Sequence, residues 1–111
     1  MPRTSYATYL RRLRRWLPLP VDVVFVDGLD TRTGNLAFCN LYRGRFKIEM
    51  EAAISEGDRK DTLVHEWAHA LSWGEEKEHH GPAWGCALSK CYRVAVEGWR
   101  PRQRAKRILR G

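Results

Sequence analysis

The chain has 111 residues, room for one domain and one core, so any active site must be built into that core rather than between domains. Hydrophobic residues make up 43% of it, five of them tryptophan, which is enough for a packed interior; no apolar run approaches the ~20 residues of a membrane helix, and Met1-Pro2-Arg3-Thr4 lacks the apolar stretch of a signal peptide. The net charge of +7 sits on the two ends, with five Arg and no acid in residues 1–15 and five Arg plus one Lys in residues 100–111, while the body between is mildly acidic. Cys39, Cys86 and Cys91 are odd in number and contain no C-x-x-C pair, so neither a disulfide framework nor a zinc ribbon is indicated. These totals lead to the expectation of a cytoplasmic protein with no membrane partner.

Thr4 to Trp16 reads as a helix, with Tyr6, Tyr9, Leu10, Leu13 and Leu17 as an apolar stripe and Arg11, Arg12, Arg14 and Arg15 around it. Pro18 and Pro20 stop it. The β-branched run Val21 to Val26 predicts a buried strand, and residues 27–35 are turn chemistry throughout. Leu36 to Tyr42 and Arg45 to Met50 predict a hairpin turning at Arg43-Gly44, the second strand alternating Phe46, Ile48 and Met50 with charged residues. Asp58 can cap a helix running to Trp73 and ended by Gly74. Pro82 suits the first turn of a further helix that reaches about Glu97 and closes at Gly98. The expected organisation is a single domain over 1–98, including a basic N-terminal helix over 1–17, followed by a basic tail over 99–111.

The segment His65-Glu66-Trp67-Ala68-His69 carries the chemistry. On a helix, residues four apart share a face, so both imidazoles can reach one cation. Glu66 lies roughly 100° further round the axis, poorly placed as a neighbouring ligand but well placed to hold and deprotonate a metal-bound water. Two neutral nitrogen ligands for zinc and a carboxylate for the water's proton are the physical content of H-E-x-x-H. Leu63, Val64, Ala68, Ala70 and Leu71 surround the motif, so the helix is expected to be buried, and buried polar groups need partners. The third ligand is less defined. Glu75 stands where one zincin pattern wants a histidine, and Glu97 abuts the helix-ending Gly98; His79 and His80 remain, and all four histidines fall within sixteen residues.

Leu63-Val64-His65-Glu66-Trp67-Ala68-His69-Ala70, followed by His80-Gly81-Pro82-Ala83-Trp84, resembles the SprT/Spartan family of zinc proteases. Ala37-Phe38-Cys39 before a hairpin and an alternating strand is similar to the segment preceding that family's catalytic helix, and the likeness covers about residues 21–98. The resemblance implies that His80, directly before Gly-Pro, completes a His65, His69, His80 site for one Zn2+ per chain, with Glu66 catalytic and His79 a bystander. It implies an α+β, minimal zincin-like fold. A small antiparallel sheet of about three strands would pack on the H-E-x-x-H helix, a second metal-bearing helix and the N-terminal helix. A protein or peptide substrate would then lie as an added strand on the sheet edge, for which Phe46 to Met50 is the candidate. The loop from His69 to His80 is shorter than in the family's cellular members, and a few basic residues replace its C-terminal zinc ribbon; such compact versions resemble those encoded by bacteriophages, which would place the protein in the host cytoplasm.

Arg11, Arg12, Arg14, Arg15, Arg102, Arg104, Lys106 and Arg107 are candidate nucleic-acid contacts, because Arg pairs bidentately with phosphate and the two ends reinforce each other. Trp67, Trp73, Trp84 and Trp99 are expected to serve core packing before any substrate pocket. Tyr42, Tyr92 and Arg93 are conceivable oxyanion donors among which spacing does not choose. The leading expectation is zinc-dependent hydrolysis of peptide bonds, on DNA-associated proteins if the basic ends bind DNA. The alternative is a nucleic-acid-binding module whose zinc is structural, which would need a fourth protein ligand from Cys86 or His79.

Overall fold

The computed structural model describes residues 4–75 and 78–101. Ser5 caps the first helix, α1 (Tyr6–Trp16), its hydroxyl accepting the Thr8 N–H at 3.2 Å. The stripe read from the sequence does point inward, with Tyr9 and Leu13 buried. Strand β1 (Val21–Val26) follows the two prolines, then a short helix α2 (Leu29–Thr33) inside the stretch expected to be turns. Strands β2 (Ala37–Tyr42) and β3 (Arg45–Glu51) form the expected hairpin. Arg43 and Gly44 both take positive φ (51° and 79°), which matches the right-handed twist of the flanking strands in a two-residue turn. Helices α3 (Glu56–Leu71) and α4 (Pro82–Ala95) complete the α+β arrangement.

The sheet departs from expectation in three ways. It is mixed rather than antiparallel: the strand order is β1-β3-β2, and β1 runs parallel to β3. The chain reaches that pairing by passing through α2 and the whole of β2, the long return that a parallel neighbour requires. Second, β1 is an edge strand rather than a buried one; Val21 alone is buried in it, and Phe25 is 40% exposed. An apolar run resembles a strand covered on both faces, but here Phe25 finds partial cover edge-on to Tyr6 and under the Arg59 guanidinium, 4.6 Å from its ring centre. Third, Phe46 to Met50 lies in the central strand, so it cannot accept an added strand. The edge beside α3 is β2.

Two helix starts were set by side chains the local pattern did not single out. Ser55, not Asp58, caps α3, accepting the Asp58 N–H at 3.1 Å and drawing Gly57 into the first turn. Glu51, buried at the end of β3, accepts the N–H groups of Gly28, Asp30 and Ala53. Its carboxylate thereby supplies the start of α2, whose N-cap Gly28 has no side chain to do so. These donors hold the Glu51 carboxyl below its ordinary value.

The core lies where α1, the inner face of β3, α3 and α4 meet, around Leu13, Ile48, Met50, Leu63, Trp67, Cys91 and Val94. Trp67 is fully buried and its indole N–H donates to the Leu17 carbonyl at 3.0 Å. An indole burying about 200 Å2 contributes about 5 kcal/mol at ~25 cal/mol/Å2, before the entropy of ordering it. Two arginines of α1 are structural. Arg12 donates to the Ala95 carbonyl at the end of α4 at 2.8 Å, and Arg14 donates to the Val21 carbonyl at 2.9 Å while lying over Trp67. α4 ends at Ala95 with Val96 at its C-cap, two residues short of the expected Glu97; Gly98, at φ 75°, lies in the turn that follows, where the Trp99 N–H reaches back to the Arg93 carbonyl.

Candidate metal centre

His65 and His69 stand one turn apart on α3, whose other side is anchored in the core by Leu63, Val64, Trp67, Ala68 and Ala70. His80 arrives from the turn that leads into α4. The three Nε2 atoms form a nearly equilateral triangle: 3.2 Å from His65 to His69, 3.1 Å from His69 to His80 and 3.2 Å from His80 to His65. An imidazole Nε2 has either one hydrogen or one in-plane lone pair, so three such atoms cannot all hydrogen-bond to one another around a ring. A cation shared by three lone pairs satisfies all of them. Tetrahedral bonds of about 2.0–2.1 Å would set the nitrogens about 3.3–3.4 Å apart, close to what is seen. The three side chains lie close enough to bind a metal ion, and no other His, Cys, Asp or Glu joins the group among the described residues.

The His-Gly-Pro turn explains itself residue by residue. His80 takes φ 57°, a left-handed conformation that costs a non-glycine residue about 1–2 kcal/mol. Gly81 donates its N–H to the Glu78 carbonyl at 2.9 Å. A Cβ at Gly81 would sit 3.0 Å from both the Cβ and the carbonyl oxygen of Glu78, so any larger residue there requires the turn to give by a few tenths of an ångström. Pro82 follows at the first position of α4, where its missing N–H is no loss.

Glu66 is buried beside the triangle, and burial raises its carboxyl above the ordinary value, with His69 acting against that rise. Together with the three histidines it lines a cleft of about 540 Å3, closed on one side by Ala37, Phe38 and Cys39 at the start of β2 and at one end by Trp73. His79 stacks on the His69 ring at 5.6 Å between centres but stays out of the triangle, and Cys86 is exposed on α4. Glu97 lines a different cavity, between α3 and α4.

Trp84 packs against the core as expected and also reaches the histidines. Its ring centre lies 4.4 Å from His80, 5.0 Å from His65 and 5.5 Å from His69, and its indole N–H points to the His65 carbonyl at 3.4 Å. It forms an apolar wall behind the triangle. The available signal was its position four residues after His80 on the first turn of a helix. Trp67 is in the core as expected, Trp99 lies under the Arg93 guanidinium, and Trp73, 40% exposed, borders the cleft edge-on to Phe46. Tyr42 is 69% exposed at the hairpin, away from the cleft.

The candidate nucleic-acid contacts divide. Arg11, Arg12 and Arg15 of α1 meet Arg100 around Trp16 in a cavity of about 480 Å3, with the Arg15 guanidinium 5.2 Å from the indole centre. Arg14 is turned away to Val21. None of these arginines has a carboxylate partner among the described residues, where the ion pair found is Arg45 with Asp22. Arg102, Arg104, Lys106 and Arg107 lie outside the described residues. No helix among the described residues is long and apolar enough to cross a membrane. Neither the family models nor the curated proteins compared with the chain match it.

Proposed function

We propose that this chain is a zinc-dependent endopeptidase of the SprT/Spartan kind, built on a minimal zincin-like fold. The observation that carries the reading is the triangle of Nε2 atoms on His65, His69 and His80 with the Glu66 carboxyl buried beside it in an open cleft. Three imidazoles suit zinc, and three protein ligands rather than four are the donor set of a catalytic zinc site. Zinc, when bound, supplies Lewis acidity to a peptide carbonyl and brings the pKa of water towards neutrality. Glu66 would accept the proton of the attacking water and hand it to the departing amine. Trp84 keeps bulk water off the back of the imidazoles. β2 is an edge strand of the sheet, so an extended peptide can add beside it and lie across the cleft.

The second reading, a nucleic-acid module with structural zinc, is weakened because neither His79 nor Cys86 joins the ligand group. The arginine cavity around Trp16 is compatible with an enzyme that acts on nucleic-acid-associated proteins. The deciding experiment combines metal analysis with casein cleavage, with and without single-stranded DNA. Glu66→Gln is expected to keep the metal and lose about 10²–10⁴-fold in turnover. Equal turnover would sink the mechanism; a zinc-loaded wild type inert under every condition would return the second reading.

A further inference from the structure

Between α3 and α4 lies a cavity of about 650 Å3 with an apolar floor of Val64, Leu88 and Val96. It adjoins the metal cleft: His65 lines both, and a smaller cavity shares His65 and Glu66 with the cleft and Asp61 and His65 with this one. Gly85 also lines it, in the interior of α4, where glycine weakens a helix. Neither backbone nor packing requires a glycine at that position: its φ is not in the left-handed region, and an added Cβ would meet nothing within 4 Å. What the missing side chain does is leave the cavity open, one residue after the Trp84 that packs on the imidazoles.

We infer that this cavity is a side-chain subsite that receives a large apolar residue of the bound peptide next to the scissile bond, and that Gly85 sets its depth; the inference rests on the peptidase reading. The mouth selects against acidic residues. Asp61 and Glu97 both border it, and the one cation there, Arg93, is engaged over the Trp99 ring at 4.4 Å. Ser89, one turn from Gly85 on α4, lines the same cavity from an exposed position.

The test uses the full chain loaded with zinc and two readouts. Peptide-library cleavage, scored by mass spectrometry, is expected to show a preference of about tenfold or more for leucine or phenylalanine over alanine at one position beside the cut. Independently of turnover, N-acetyl-leucinamide is expected to shift the backbone amide resonances of Gly85, Leu88 and Ser89, whereas N-acetyl-glycinamide leaves them in place. Gly85→Leu fills the cavity and should bring the preference below about twofold and abolish the leucinamide shifts. Ser89→Leu, in the same cavity lining, is the second variant should the first fail to fold; melting temperature and zinc stoichiometry report on folding. Leucinamide shifts without any cleavage support the cavity's ligand and overturn the peptidase reading. Cleavage with no side-chain preference and no shifts overturns the subsite and leaves the peptidase reading standing. A Gly85→Leu protein that folds and keeps the full preference also overturns it.

Discussion

Replacing Gly81 with alanine perturbs the metal centre without touching a ligand. The new methyl would stand 3.0 Å from the Glu78 Cβ and carbonyl oxygen, about 0.5 Å inside the ~3.5 Å at which carbon contacts become favourable. Both opposing atoms belong to the turn itself, so relief must come from parting residues 78 and 81 and stretching their 2.9 Å hydrogen bond. His80 lies inside that turn and already carries left-handed strain. A zinc site tolerates distance errors of about 0.2 Å, so a displacement of a few tenths of an ångström carried to His80 would exceed that tolerance. Loss of a supporting interaction around a metal typically costs about 10–100-fold in affinity, or about 1.4–2.8 kcal/mol. The fold is affected less: Gly81 is outside the apolar core, and alanine at a helix N-cap costs about 1 kcal/mol or less relative to glycine. Competition with a chromophoric chelator measures the zinc affinity, and urea unfolding of the metal-free protein measures the fold. Unchanged zinc affinity in Gly81→Ala would refute the account of the turn.

Trp67→Phe removes the hydrogen bond to the Leu17 carbonyl and leaves space in a fully buried site, so the unfolding free energy should fall by about 2–4 kcal/mol in urea titrations. A loss under about 1 kcal/mol would mean that the indole is not the centre of the core. Arg11→Gln and Arg15→Gln should each lower the salt dependence of single-stranded DNA binding by about 0.7 of a unit of log–log slope, with stability changed by no more than about 0.5 kcal/mol. Arg14→Gln should instead cost about 1 kcal/mol of stability through the lost Val21 bond, with the slope unchanged, and identical slopes in all three would remove the cavity around Trp16 from consideration. Glu51 has a folded pKa below its unfolded one, so its contribution is complete above the ordinary carboxylate range and drains away as the pH falls through the folded value. Between about pH 7 and about pH 3 the wild type should therefore lose more stability than Glu51→Gln, the two converging in acid; parallel curves would contradict that sign.

Local periodicity made much of the fold legible. The hairpin followed from the alternation of Phe46, Ile48 and Met50 and from Arg43-Gly44, and the start of α4 followed from Pro82, because each of these signals acts within a few residues. The shared face of His65 and His69 on α3 was legible for the same reason: four residues apart on a helix is a statement about space. What stayed hidden depends on partners distant in the chain. The direction of β1 is decided by its pairing with β3, some twenty residues on, and Val21 to Val26 reads alike in either direction. Glu51 begins a helix that precedes it in sequence, and the Arg12 and Arg14 guanidiniums end up on backbone carbonyls rather than in solvent. Trp84 packs against the core as its place in the stripe implied, but a helix stripe does not say that the histidine rings also lie against it.

The arrangement of the donors also decides how an ion would come and go. His65 and His69 would form a bidentate chelate set on the packed helix α3, while the third donor, His80, lies on an exposed turn. The elements are joined through an apolar cluster that reaches from Tyr9 and Leu13 through Ile48 and Trp67 to Val94, so the scaffold does not depend on chelation for its cohesion. Small zinc domains whose core is the metal itself release it only by unfolding. Here an ion can exchange by the swing of one turn, with the two helical donors kept in place to receive the next.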